Sequence, residues 1–324
     1  MASLTQFGNR LYTGESSFPF IPRRRTWFLV ALGIVAICIL GPILRGGFEF
    51  GIEFRGGSEF RVTGVEQVDE QVAADAVTSV LGAQQVPNVA QIGQDGLRVQ
   101  TEQLSDSDTV EIRDALASAL DVDANEITSS FVGPSWGQDI TRQALTGLIV
   151  FIVLVAVVMA LYFRTWKMSV AALSSLAFDL IVTAGIYGIV GFEVTPAAVI
   201  GFLTILGYSL YDTVVVFDKV REQTAPGTSG TYADNINLAV NQTLVRSINT
   251  SVIAMLPTAS ILFIGSFLLG AGTLRDISLA LLIGTLVGTW STLFVAAPVY
   301  AQLRIGEDIA EARAKRPSER GAVV

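Results

Sequence analysis

"GYSLYDTVVVFDKVRE", residues 207–222, closes an apolar, small-residue run that begins near residue 196, and Asp212 stands inside it. A bilayer span takes about 20 predominantly apolar residues, and 196–217 supplies them. Asp218, Lys219, Arg221 and Glu222 then mark where the run reaches water. A charge at the bilayer centre costs about 2.5–3.5 kcal/mol on insertion scales, so it faces protein or a wet cavity and marks a candidate site.

Five further stretches match this length and character: 27–44, 143–163, 169–190, 243–264 and 276–299. With 51% hydrophobic and 15% charged residues and a mean hydropathy of +0.55, the chain reads as a polytopic membrane protein of six helices. The first stretch follows "PRRR" (22–25), yet "CILGPILRGG" (38–47) offers no small-x-small cleavage site, so it reads as an uncleaved anchor.

Lys and Arg set the orientation. Arg10 and Arg23–Arg25 precede helix 1, Arg164 and Lys167 separate helices 2 and 3, Lys219 and Arg221 follow helix 4, and Arg304, Arg313, Lys315, Arg316 and Arg320 follow helix 6. "GFEVT" (191–195) between helices 3 and 4 has no basic residue, and Arg275, the exception near the outer end of helix 6, has Asp276 beside it. The expected plan is a cytoplasmic segment at 1–26, helix 1 at 27–44, an extracytoplasmic domain at 45–138, helices 2–6 within 139–300, and a cytoplasmic tail at 301–324. The expected home is the cytoplasmic (inner) membrane.

Charge supports that division. Of the net −8, an excess of acid lies between Arg45 and Gln138, where 16 acidic residues face 5 basic ones. An acidic soluble domain joined to a mildly basic membrane part argues against nucleic-acid binding. The chain has no histidine, which removes the usual catalytic base, zinc ligand and near-neutral proton shuttle. Cys38, the only cysteine, permits no disulfide within the chain and reads as a packing residue.

In "FEFGIEF" (48–54) Phe48, Phe50, Ile52 and Phe54 alternate, the period-2 mark of a strand. Gly56-Gly57 supplies a turn and "SEFRV" (58–62) continues as strand. Val68, Val72, Ala76, Val77 and Leu81 fall at helical spacing, and "VPNVAQI" and "LRVQT" flank the "GQDG" turn (93–96). A second helix over 107–120 presents Val110, Ile112, Leu116 and Leu120, and "EITSSFV" (126–132) is the last strand. The order βαββαβ is the ferredoxin-like α+β pattern. It contains no phosphate loop, metal-ligand spacing or nucleophile-plus-base arrangement. Neither a cofactor, nor a metal, nor enzyme activity is expected.

The charges inside the spans are where function is expected. Asp212 lies roughly 9 Å, or six residues, from the cytoplasmic end of helix 4, and Arg246 lies a few residues into helix 5. These antiparallel helices place the two charges at similar depth. Gln242, Thr243, Asn249 and Thr250 extend a polar stripe around Arg246, and Tyr208 and Ser209 precede Asp212 by one turn. One reading is a static buried ion pair that fixes register. The other is a proton site, because desolvation favours a neutral carboxylate and a neighbouring cation an ionised one. Asp179 in helix 3 is a second buried carboxylate, read as a polar group bonded to a neighbouring helix or bordering a wet cleft. Asp218 reads as interfacial, Pro257 as a packing kink, and Gly284, Gly288, Thr289, Ser291 and Thr292 as close helix packing.

"GIEFRGGSEFRV" (51–62), "VGPSWGQDI" (132–140), the opening stretch, "NQTLVRSINTSV" (241–252) and "LRDISLALLIGTLVGTWSTLFVAAP" (274–298) together resemble the SecF branch of the SecD/SecF protein-export family. The likeness runs from helix 1 to helix 6; the first 20 residues and the tail after about 302 carry no motif. It implies membership of the resistance-nodulation-division superfamily of proton-driven transporters, a SecD-like partner, work beside the SecYEG channel on translocating preprotein, and proton flow as the drive. It also implies that Asp212 and Arg246 are the functional pair. Tyr211 stands where the family usually has Asn, and Phe178 where a His commonly precedes the helix 3 Asp. Two other classes compete. A small-molecule exporter of that superfamily would need a larger outer domain and usually twelve helices. A structural scaffold would tolerate neutral residues at 212 and 246.

Overall fold

The structure is a computed structural model that describes residues 9–65, 68–82, 85–225, 230–268, 272–305 and 307. Helix α1 (Arg24–Arg45) leads to a sheet domain: β1 (Gly57–Val62), α2 (Glu70–Leu81), β2 (Asn88–Ile92), β3 (Gly96–Thr101), α3 (Asp106–Leu120) and β4 (Ile127–Val132). Then follow α4 (Pro134–Phe163), α5 (Trp166–Val190), α6 (Pro196–Gln223), α7 (Tyr232–Ser260) and α8 (Gly272–Ser291). Two π-helical segments, Ile261–Leu268 and Thr292–Ala296, continue α7 and α8, and Ala297–Leu303 completes the last rod. Six helices are thus long and apolar enough to cross a membrane.

The sheet order is β2-β3-β1-β4, with every neighbouring pair antiparallel. Each βαβ unit therefore returns to leave room for one strand between its own two, the ferredoxin-like arrangement. Strand alternation sends Phe60, Val62, Leu97 and Val99 into a core closed by Ile112 and Leu116 of α3 and Val77 of α2. Val72 and Val110 do not join that core; they are exposed, and Ala73 and Val77 carry the buried face of α2. Arg98 and Gln100 lie on the opposite side of β3, where Gln100 donates to Glu59 Oε2 (3.1 Å) and Arg98 pairs with Glu193 in the turn before α6.

The alternation in 48–54 is not a strand. Glu49 and Gly51 are stitched to Val194 by a Val194 N–H donated to Glu49 O (2.7 Å) and a Gly51 N–H donated to Val194 O (3.0 Å). Phe50 forms only an isolated parallel bridge there, and Ile52–Arg55 is a helical turn. The aromatic rings pack on each other, Phe48 on Phe50 and Phe50 on Phe54, with centroids 6.1 Å apart in each pair. Gly56 and Gly57, both at positive φ, then redirect the chain, so the strand begins at Gly57.

Among the membrane helices α6 and α8 pack closely through glycine. A Cβ on Gly284 would lie 2.5 Å from Ile205 Cγ1, and one on Gly201 2.6 Å from Ala280 Cβ, so glycine sets the interaxial distance. Cys38 is buried with Gly185 of α5 directly against it. At the sheet-domain end, Glu49, Arg98, Glu193, Arg275 and Asp276 border one cleft. At the opposite end, the Lys167 amine donates to Leu303 O (2.8 Å) and pairs with Glu307, and Lys219 stacks over Tyr12. The segment before α1, without a motif in sequence, is tied down there. Leu11, Phe20 and Ile21 are fully or nearly buried, and Asn241 both donates to Phe18 O and accepts from Phe18 N–H.

Candidate functional site

Thr195 and Thr231 cap α6 and α7 with their side-chain oxygens, fixing where each helix starts. That phasing turns Ser209, Asp212, Thr213 and Val216 of α6 inward, together with Thr243, Ser247 and Ser251 of α7. Ser247 Oγ donates to Asp212 Oδ1 at 2.8 Å. Asp212 Oδ2 is buried and has no hydrogen-bond partner among the described residues. The next turns carry more hydroxyls: Ser251 Oγ donates to Ser247 O (2.8 Å) and also meets Thr289 Oγ1, and Thr213 Oγ1 meets Thr292 Oγ1 at 3.0 Å.

Asp179, on α5, is fully buried and repeats the pattern. Ser209 Oγ donates to its Oδ2, while Oδ1 has no partner among the described residues. Gly288 makes this approach possible, since a Cβ there would crowd Ser209 Cβ at 3.0 Å. In the same layer Ser175 Oγ donates to Ser291 Oγ at 2.9 Å. Two carboxylates thus sit in the bundle, each bonded to a serine of a neighbouring helix, Asp212 to Ser247 and Asp179 to Ser209. Each keeps one oxygen able to bind a proton or a water without breaking a protein contact.

Arg246 is not where a static pair would put it. It is exposed on α7, and no ion pair within 4.0 Å joins it to Asp212 among the described residues. Its stripe divides: Thr243 is buried, Gln242 donates to Tyr12 O (3.0 Å), Asn249 is exposed, and Thr250 bonds back to Arg246 O. Tyr208 and Thr250 do meet, with the Tyr208 hydroxyl donating to Thr250 O at 2.9 Å. Ser209 serves Asp179 and not Asp212. Ser247, which lies next to Arg246 in sequence, is the partner that the reading of the sequence missed. The signal was the i, i+4 pair Ser247 and Ser251, one face round from the stripe that was followed.

Phe178 is buried and stacked on Trp290, with centroids 5.3 Å apart and planes at 25°. Tyr211 is exposed. Asp218 accepts from the Tyr162 hydroxyl (2.7 Å) at the helix ends. Pro257 lies one turn before the π-helical segment of α7, a combination that bends helices. Among the described residues no three acidic or thiol side chains are grouped to hold a metal ion.

Residues 112–305 match the family model for the C-terminal part of the SecD/SecF protein export membrane proteins. The protein translocase subunit SecF of Streptomyces coelicolor is 43% identical over 319 residues, which cover 98% of this chain and 84% of that one. The SecF subunit of Mycobacterium tuberculosis is 42% identical, over 97% of this chain and 73% of its own. The crystal structure of SecDF from Thermus thermophilus, a translocon-associated membrane protein, superposes with a TM-score of 0.78 at 29% identity over 89% of this chain. This chain spans 39% of that longer protein. The same comparison with SecDF in a super-membrane-facing form gives a TM-score of 0.63.

Proposed function

The chain belongs to the SecD/SecF protein-export membrane family and is a multi-pass protein translocase subunit, and on that premise we propose that it pairs with a SecD subunit and uses the proton-motive force to assist preprotein export. In this reading it works beside the SecYEG channel in the cytoplasmic membrane, with both termini inside and the sheet domain outside. Its work is conformational and involves no covalent chemistry. The crystallised Thermus SecDF, in which a chain like this one accounts for about two fifths of the length, supports the SecD pairing.

One observation carries the proton assignment: Asp212 is buried in a span and bonded through one oxygen to Ser247, while among the described residues its other oxygen has no hydrogen-bond partner and Arg246 on α7 has no ion pair. Desolvation favours the neutral acid, and approach of a guanidinium favours the carboxylate. A movement of α7 against α6 that brings Arg246 inward would expel the proton, and the reverse movement would recapture one. The cycle can thereby convert proton flow into helix displacement.

The test is export by vesicles with and without an imposed proton gradient, with membrane abundance as control. Asp212→Asn keeps size and hydrogen bonding but cannot exchange a proton, so gradient-dependent export is lost while the protein inserts normally. Arg246→Met impairs it as well. A static pair predicts that Asp212→Asn with Arg246→Gln restores both folding and export; that result would leave the scaffold reading. Reporter fusions near Asp95 and Glu193 should report the outside, and those after Arg164, Lys219 and Ala301 the cytoplasm.

A further inference from the structure

Where the sheet domain meets the membrane helices, an apolar crevice of about 310 Å³ opens on one flank of the bundle, within the size range of small-molecule sites. Its walls are Leu145 and Leu148 of α4 with Phe202 and Leu203 of α6, and Phe50 and Phe54 roof it. Arg55 stands at its edge, exposed, and among the described residues it has neither an ion pair nor a side-chain hydrogen bond. The helical turn that carries Arg55 is clamped in place. The N-terminus of α4 approaches it so closely that a Cβ on Gly137 would lie 2.6 Å from Phe54 O and 3.2 Å from Gly56 N. The backbone that carries Arg55 is therefore fixed at the edge of the crevice.

We propose that this crevice is a phospholipid site, with an acyl chain lying between α4 and α6 and the headgroup phosphate on Arg55. The walls belong to segments that span the membrane, so the apolar occupant at this depth comes from the bilayer. An acyl chain gains by burial of each methylene in such a crevice. A guanidinium offers a phosphate two parallel N–H donors, a stronger and more directional contact than a point charge. Charge complementarity rests on Arg55 itself: in a domain otherwise rich in carboxylates it is the cation that borders the crevice, and among the described residues it has no carboxylate partner. A bound lipid would couple the outer leaflet to the connector that joins α1 to β1. The inference is independent of the proton assignment.

The experiment uses the full chain, alone and with a SecD-type subunit, in nanodiscs of equal parts phosphatidylglycerol and monogalactosyl diacylglycerol with matched acyl chains. Native mass spectrometry counts the lipid retained. Wild type is expected to keep phosphatidylglycerol over the phosphate-free lipid by about fivefold, the upper end of the scale for one exposed ion pair. Arg55→Gln should abolish the preference, and Leu203→Trp, which fills the crevice, should lower retention of both lipids. Leu145→Trp fills it from the other wall if Leu203→Trp does not insert. Equal retention of the two lipids by wild type, or preference unchanged in Arg55→Gln, overturns the proposal. So does loss of the lipid when the second subunit binds, because a partner helix would then be the occupant.

Discussion

Ser247 shows what a single sequence hides at the scale of a residue. Asp212 was legible because a carboxylate in an apolar run stands out by cost alone. Serine carries no such contrast, since in membrane helices it commonly bonds back to its own backbone, as Ser251 does to Ser247 O. Arg246 drew attention to one face of α7 for the same reason: charge is visible in sequence, and a hydroxyl 100° round the helix is not. Phe178, next to Asp179 in sequence, is a related case: its ring is stacked on Trp290. Under the proton assignment proposed above, the bond from Ser247 is to a group that would alternate in charge, so its removal should bear on function more than on folding. A hydrogen bond to a charged group contributes about 1.5–3 kcal/mol. Ser247→Ala is therefore expected to lower gradient-dependent export about tenfold, the equivalent of 1.4 kcal/mol, with membrane abundance retained. Ser247→Thr, which keeps the hydroxyl, should restore most of it. Export by Ser247→Ala at the wild-type rate would show that the bond plays no part in the cycle.

At the scale of elements, the helices were legible and one strand was not. Length and hydropathy determine a membrane helix almost alone, because the backbone must satisfy its own hydrogen bonds in lipid. Period-2 alternation has more than one cause. In 48–54 it arises from aromatic rings that stack on one another and roof the crevice, not from a ladder of strand hydrogen bonds. The small residues of helix 6 were read as close packing, and the contact of α8 with α6 gives that reading a measurable form. Gly284 has Ile205 within 2.5 Å of where a Cβ would be, whereas Gly207 has no atom within 4 Å. Gly284→Val should therefore force α6 and α8 apart and cost about 1–3 kcal/mol by overpacking. Gly207→Ala, on an exposed face of α6, should be neutral or stabilise by about 0.5–1 kcal/mol through helix propensity. Thermal denaturation of the two variants in the same detergent separates the outcomes. Equal melting points would mean that this contact is loose.

Over the whole molecule, the sequence separated sheet domain from membrane part but could not show how they are joined. The joint rests on residues far apart in the chain: Arg98 of β3 pairs with Glu193 in the turn before α6, and both side chains are largely buried, at 14% and 9% exposure. Nothing in "LRVQT" or "GFEVT" announces a partner 95 residues away. Acid is in excess around this pair. Glu193 Oε1 and Glu53 Oε2 are buried with no hydrogen-bond partner among the described residues. Burial above all pushes the Glu53 carboxyl above its ordinary value, with the charges of Glu193 and Glu59 adding to it, against its own backbone amide and Arg98. The folded joint thus favours neutral Glu53. Its contribution is complete below the ordinary glutamic acid value and is lost as pH rises through the raised one. Glu53→Gln fixes the neutral form and should tighten the joint at neutral pH. It should also flatten the loosening of wild type as pH rises above the ordinary glutamic acid value. Arg98→Ala acts in the opposite sense, leaving Glu193 buried and unpaired at a cost of about 3 kcal/mol, and adding Glu193→Gln should recover most of it. The measurement is hydrogen exchange at the amides of Gly51 and Val194, whose bonds stitch the connector to the turn, corrected for the intrinsic effect of pH. If Glu53→Gln loosens with pH as steeply as wild type, another group controls the joint. If Arg98→Ala exchanges no faster, the ion pair does not hold the sheet domain in place.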